Sequence, residues 1–296
     1  MSTQADQADH RLAPPPDLPP GRLVALPDRG EVFVRDSGGT GPPLLLLHGW
    51  MFAADLNWHS SYGALTDAGY RVLALDHRGH GRGLRTPDPF RLTDCADDGA
   101  ALLRALDCGP VLSAGYSMGG PIAALLAQRH PQLIRGTVYC ATACHWREPR
   151  LRLFWQGMAA LRLVLGPFPL ETWRRLLRRW GSPDTPLTTW MAAELSRGSA
   201  RDLAEAGREL GRFDSRSWVG TLDSPAAVLL TSRDRSVSPS KQRELAALLT
   251  APTFEVAADH FAVSQATDEF NRALLAALSA VAQRSTKFEA AAAVAG

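Results

Sequence analysis

Val111-Leu112-Ser113-Ala114-Gly115-Tyr116-Ser117-Met118-Gly119-Gly120 is the stretch on which the reading of this chain turns. It joins a short apolar run to the pattern G-x-S-x-G, and helical spacing follows at once. Pro121 is tolerated in a first turn, and Ile122, Leu125, Leu126 and Arg129 recur along one helical face. A serine between a buried strand and a helix sits on a sharp, strained turn that lifts its hydroxyl clear of the sheet. Gly115 and Gly119 form the elbow around it, because Cβ atoms there would collide. The five residues alone recur by chance as a glycine turn without chemistry. The strand before and the helix after make Ser117 the predicted nucleophile.

A serine hydroxyl needs a histidine to take its proton and a carboxylate to orient that histidine. On a turn of this kind the chain order is serine, acid, histidine. His130 ends the helix after Ser117 and His145 opens a long insertion. His260 follows the final strand in Ala258-Asp259-His260-Phe261, and it is the predicted base. For the acid, Asp234 stands just past the carboxyl end of the run Ala227-Val228-Leu229-Leu230, the edge at which open α/β sheets bind ligands. Asp223 precedes that run and belongs to the opposite edge. Asp259 adjoins the histidine, so its side chain diverges from the imidazole. Asp234 is the predicted acid.

A tetrahedral intermediate places negative charge on the former carbonyl oxygen, and backbone N–H groups must be waiting for it. The expected donors are Met118 and, after Leu44-Leu45-Leu46-Leu47, Trp50 of His48-Gly49-Trp50. His48 is expected to be structural, bonding beneath its loop. Asp76-His77-Arg78-Gly79-His80-Gly81 could suggest a metal, but HxxH in a glycine turn is poor ligand geometry. No metal and no cofactor is expected, and the segment is read as a hydrogen-bonded turn.

Outward from these motifs, the runs at Leu44, Val72, Val111, Thr137 and Ala227 are apolar on both faces. They fit strands of a mostly parallel sheet with helices on both sides, an α/β fold. Leu23 to Asp36 reads as an antiparallel hairpin, Thr253 to Val256 as a last strand, and Asp268 to Gln283 as a terminal helix. The gap between Ala141 and Ala226 is too long for a simple connection. It carries Trp146, Trp155, Trp173, Trp180 and Trp190, with Arg174, Arg175, Arg178 and Arg179 at helical intervals, and reads as a helical cap. The expected division is a disordered lead-in at 1–21, a core at 22–142 and 217–284, a cap at 143–216, and a flexible tail at 285–296.

The 296 residues carry a formal net charge of +2, which gives no reason to expect a nucleic-acid partner. Met1 to Gly21 is polar and proline-rich, without the basic start and apolar core of a secretion signal. No apolar run approaches the roughly 18 residues of a membrane span. Cys95, Cys108, Cys140 and Cys144 show no CxxC spacing, so buried, reduced thiols and a cytoplasmic location are expected. The arginines of the cap raise peripheral contact with an acidic lipid surface; a solvated helix face accounts for them more simply. Nothing in the chain fixes an oligomeric state.

Together, His48-Gly49-Trp50, the Asp76 turn, the Ser117 elbow, Ser232-Arg233-Asp234-Arg235-Ser236-Val237-Ser238-Pro239 and Asp259-His260-Phe261 resemble the α/β-hydrolase superfamily. The resemblance runs from about Leu23 to Gln283. It implies an eight-stranded, mostly parallel sheet with a cap inserted after the sixth strand. Haloalkane dehalogenases and epoxide hydrolases resemble this architecture but use aspartate where Ser117 stands, which disfavours both. The expected activity is hydrolysis of a carboxylic ester, a small-molecule acyl substrate of hydrophobic character, as in carboxylesterases and lipases. Alternatives with the same triad are acyl transfer, cofactor-free haloperoxidase-like chemistry and C–C bond hydrolysis. A non-catalytic binding protein of this fold would usually have lost a triad residue.

Overall fold

A computed structural model of the chain describes residues 15, 17–147, 152–160, 163, 169–179 and 183–295. Its strands are β1 (Gly21–Leu26), β2 (Gly30–Asp36), β3 (Pro43–Leu47), β4 (Arg71–Leu75), β5 (Val111–Tyr116), β6 (Ile134–Cys140), β7 (Ala226–Thr231) and β8 (Thr253–Val256). They form one eight-stranded sheet in the order β1-β2-β4-β3-β5-β6-β7-β8. The β1–β2 hairpin and the β2–β4 pair are antiparallel, and every other pair is parallel.

Each central run is buried on both faces because it has helices above and below it. Along β3, Leu45 and Leu47 enter one core while Leu44 and Leu46 enter the other. On the first side lie α2 (Leu92–Ala105) and α3 (Gly119–Arg129), through Cys95, Leu102, Ile122 and Leu126. On the other lies α1 (Ala54–Asp67), through Trp58 and Tyr62. This two-sided burial is why the strands read as unbroken apolar runs rather than alternating ones.

Between β6 and β7 the described α-helices are α4 (Arg152–Gln156), α5 (Pro169–Arg179), α6 (Pro186–Ser196) and α7 (Ala200–Arg212), with 3-10 turns at Gly157–Ala160 and Val219–Thr221. We call this segment the insert. A single antiparallel bridge between His145 and Asp214 brings its two ends together. Trp173 and Trp190 are buried with Leu177, Leu195 and Leu203 in a cluster that also takes in Ala53 and Leu56 from the sheet domain. These tryptophans pack the insert down onto the body of the protein. Trp180 lies outside the described residues.

After β7 come α8 (Pro239–Leu248), α9 (Ala262–Gln265) and α10 (Thr267–Ala295). Phe270, Leu274 and Leu278 of α10 cover the same face of the sheet as α1. Of the lead-in at 1–21, residues 1–14 and 16 lie outside the described residues, but Gly21 already belongs to β1. Just before it, the carbonyls of Pro19 and Pro20 accept from Arg35 and from the Asp36 N–H at 2.9 Å each. At the other end, α10 runs on to Ala295, within the tail expected at 285–296. Arg135 reaches Ser285 and Thr286, and the run Ala290 to Ala293 has the highest helix propensity of any residue type. The four cysteines are free and buried, as expected.

Candidate active site

Ser117 sits where β5 gives way to α3, with a left-handed φ of 51°. That conformation disfavours any side chain, and the surroundings hold it in place. The Ser117 N–H donates to the Cys140 carbonyl at 2.9 Å, and its own carbonyl accepts from the Gly120 N–H and the Thr142 hydroxyl. The glycines matter for proximity. A Cβ at Gly115 would strike the Gly119 carbonyl, and one at Gly119 would strike the Leu47 carbonyl, so sheet and helix could not close to this distance.

The loop after β8 brings His260 over the sheet end, with Nε2 3.0 Å from Ser117 Oγ. Its Nδ1 lies 2.7 Å from Oδ2 of Asp234. With the Nδ1 proton donated to the carboxylate, Nε2 is left as the acceptor for the serine proton. Asp234 is buried, and its second oxygen accepts the backbone N–H groups of Ser236 and Val237 at 2.8 and 2.9 Å. Asp259, the rejected neighbour, instead accepts the Phe261 N–H at 2.8 Å. The structure thus brings together the three side chains picked from chain order.

The loop after β3 passes alongside. A Cβ on Gly49 would lie 3.4 Å from Ser117 Cβ, so this loop and the serine are in contact. The Gly49 N–H donates to Asn57 Oδ1 at 2.9 Å, and its carbonyl accepts from His48 Nδ1 at 2.8 Å. Met51, with φ of 67°, turns the chain so that the Phe52 N–H reaches back to the Gly49 carbonyl. Among the described residues, the backbone N–H groups of Trp50 and Met118 donate to no other backbone group or side chain. These are the two groups expected from the sequence as oxyanion donors.

His48 is fully buried, and loss of solvation lowers its pKa to about 4. The Asp76 turn is a hydrogen-bonded structure. Asp76 accepts the Ala54 N–H at 2.7 Å, capping α1, and the Arg82 N–H at 2.8 Å. His77 and His80 lie buried against His48, with ring centroids 4.2 and 5.4 Å from it.

Several residues that support the site were not singled out from the sequence. The Tyr116 hydroxyl donates to the His260 carbonyl at 2.8 Å, fixing the backbone of the histidine loop. Gln242, fully buried on α8, donates to the Val237 carbonyl and to Thr231 Oγ1, and that hydroxyl donates to Asp234 Oδ2 at 2.8 Å. One signal for Gln242 was present: a glutamine in register with the core positions Leu245 and Ala246. Elsewhere, Cys144, His145 and Glu244 bring three possible metal-donor atoms within 4.8 Å of one another. His145 Nε2 stands 3.4 Å from Glu244 Oε2, and burial pushes the Cys144 thiol up to about 11. Spacing could not have joined Glu244 to the other two.

A sequence profile of the alpha/beta hydrolase fold matches residues 42–267. Over 36% of this chain and 39% of the relative, the sequence is 36% identical to a non-heme haloperoxidase of Rhodococcus erythropolis. It is 26% identical to 3-oxoadipate enol-lactonase 2 of Acinetobacter baylyi, over 71% of this chain and 79% of that protein. Among solved structures it is similar to a hydrolase from Pseudomonas aeruginosa, with a TM-score of 0.75 and 25% identity. That likeness covers 87% of this chain and 98% of the other. The aligned stretch takes in less than half of the haloperoxidase's length. No described helix is long and apolar enough to cross a membrane.

Proposed function

The chain belongs to the alpha/beta hydrolase fold family, and from that premise we propose that it cleaves a carboxylic ester through an acyl-enzyme on Ser117. The observation that carries this reading is the unbroken hydrogen-bonded path from Ser117 Oγ through His260 to Asp234.

In the proposed cycle, Ser117 Oγ attacks the ester carbonyl as His260 Nε2 takes its proton. Asp234 holds the imidazole in the required tautomer and stabilises the imidazolium. The negative oxygen of the tetrahedral intermediate accepts from the Trp50 and Met118 N–H groups. Collapse breaks the C–O bond, and His260 returns the proton to the leaving alcohol. Water then attacks the acyl carbonyl with His260 again as base, releasing the acid and restoring Ser117.

Aromatic rings near the site support a hydrophobic substrate: Phe52 and Phe261 meet at 6.4 Å between centroids beside His260, and Phe261 is exposed. The test is a panel of p-nitrophenyl esters of increasing acyl length. Short esters are expected to turn over, and Ser117→Ala is expected to abolish the activity. Hydrolysis that survives that substitution rules Ser117 out as the nucleophile.

The named relatives favour a second reading of the same site. An enol-lactone is a cyclic ester, and the chemistry above opens it without change. The likeness to a non-heme haloperoxidase fits attack on the acyl-enzyme by hydrogen peroxide in place of water, which releases a peracid and free Ser117. Adding peroxide to the ester assay and titrating peracid separates the two fates of the acyl group.

A further inference from the structure

The Trp50 side chain leaves the sheet domain and lies on helix α7 of the insert. Its Nε1–H donates to the Leu203 carbonyl at 2.8 Å. One turn further along α7, a Cβ on Gly207 would stand 2.8 Å from Cζ2 of the Trp50 ring and 3.0 Å from Cγ of Met158. One turn beyond that, a Cβ on Gly211 would collide with the Trp155 ring. Positions 203, 207 and 211 are four apart and therefore share a face. Glycine weakens a helix, and α7 carries two of them where they leave room for indole rings. The Trp50 and Trp155 rings meet at 5.7 Å between centroids, and Phe154 lies 4.9 Å from Trp155 and 6.5 Å from Trp50.

On its other side, Trp50 follows a glycine that His48 and Asn57 hold by its carbonyl and its N–H. The Trp50 peptide is therefore strung between two anchors, one in the sheet domain and one on the insert. We propose that the glycine face of α7 is a seat for the Trp50 indole that aims the Trp50 backbone N–H at the oxyanion. Docking of the insert then completes the oxyanion hole through one side chain, which makes Trp50, Leu203 and Gly207 positioning residues for catalysis. This rests on the reading of Ser117 and the Trp50 N–H given above.

An oxyanion donor acts where charge develops, so misaiming it lowers kcat and leaves KM largely alone. Gly207→Ala inserts a methyl group between helix and ring while improving the intrinsic helix propensity of α7. For a p-nitrophenyl ester, kcat is expected to fall by about tenfold or more, short of the ~100-fold expected for outright loss of a donor. KM is expected to stay within about twofold. Trp50→Phe keeps the backbone but loses the bond to Leu203, and kcat is expected to fall here too. In the double variant the smaller ring makes room for the methyl group, so kcat should recover relative to Gly207→Ala alone. A merely structural role would couple the two changes as well, but it would show as a lower melting temperature and fewer sites titrated by a fluorophosphonate, with kcat per titrated site unchanged.

Unchanged kcat in Gly207→Ala, a rise in KM alone, or additive losses in the double variant would each overturn the inference while leaving the esterase reading intact. If Gly207→Ala does not fold, Trp50→Phe decides on the same kcat criterion. A wild-type protein that neither hydrolyses the esters nor labels at Ser117 with a fluorophosphonate overturns the esterase reading, and the inference with it.

Discussion

His48 accepts the backbone N–H of His77 through Nε2 at 3.0 Å. The same ring has Nδ1 2.8 Å from the Gly49 carbonyl, to which it donates. One imidazole thus ties the loop that carries Trp50 to the loop after β4, and both bonds require it to be neutral. A second proton on Nε2 would displace the His77 N–H and add a charge with no water to solvate it.

Acid should therefore weaken the fold well above the carboxylate range. Burial holds His48 at about 4 and His80 at about 3, against 6.5 for the exposed side chain. The stability they contribute is complete above pH 6.5 and is lost as pH falls toward the folded values, because the unfolded chain binds protons first. Between pH 7 and pH 5 the expected loss is about 2 kcal/mol from His48 and a similar amount from His80. Urea unfolding at the two pH values checks it, and an unchanged unfolding free energy would contradict the burial of neutral imidazoles.

Asp234→Asn should separate folding from catalysis. The asparagine carbonyl can still accept the Ser236 and Val237 N–H groups, so the turn is expected to survive. Its amide then faces His260 Nδ1 as a donor and favours the wrong tautomer. Ester turnover is expected to fall by about 10³- to 10⁴-fold with little change in melting temperature. A loss below tenfold would remove Asp234 from the proposed role.

Gly119→Ala and Gly115→Ala should damage the fold before they affect chemistry. In each, the new methyl group meets a backbone carbonyl that cannot rotate away. The cost is expected at about 3 kcal/mol or more, at the upper end of overpacking changes. Gly63→Ala, where a Cβ meets nothing within 4 Å, serves as the comparison and is expected to be neutral or slightly stabilising. Equal melting temperatures for all three variants would refute the close-approach account of the elbow.

Arg82 holds the insert by charge. Its guanidinium reaches Glu194 on α6 at 2.7 Å and Asp55 on α1 at 2.6 Å, with Asp76 3.7 Å away, and all three carboxylates are buried. Arg82→Met leaves them facing one another without that cation, at an expected cost of roughly 3–5 kcal/mol. Glu194→Gln keeps a hydrogen-bond acceptor and should cost less. Faster proteolysis within the insert of Arg82→Met, relative to Glu194→Gln, is the accompanying measurement.

Much of this molecule was legible in one dimension. The run Thr253 to Val256 coincides with β8, and the runs at Leu44, Val72, Val111, Thr137 and Ala227 each fall within a strand of the sheet. Those strands announce themselves because burial on both faces leaves few polar positions to interrupt them, and the two in the central runs, Ser113 and Thr137, bond to each other at 2.9 Å. Ser117 was legible because a tight strand-to-helix turn demands glycines at set places. Asp234 and His260 were legible because each follows a strand at the sheet end where Ser117 emerges. The ends of the chain were less so. An alanine run fits a frayed tail as well as a helix until Arg135 is seen to bond to Ser285 and Thr286.

By itself, then, the sequence determined the succession of buried strands, the elbow, and the order in which Ser117, Asp234 and His260 arrive at the same sheet end, because local backbone sterics and burial write those into neighbouring residues. The tertiary structure alone decided which residues meet across long stretches of chain: Tyr116 with the His260 carbonyl, Arg82 with Glu194, and Trp50 with Leu203 and Gly207. Such contacts depend on how elements pack after the strands are in register, and a residue's near neighbours in sequence carry no trace of a partner a hundred positions away.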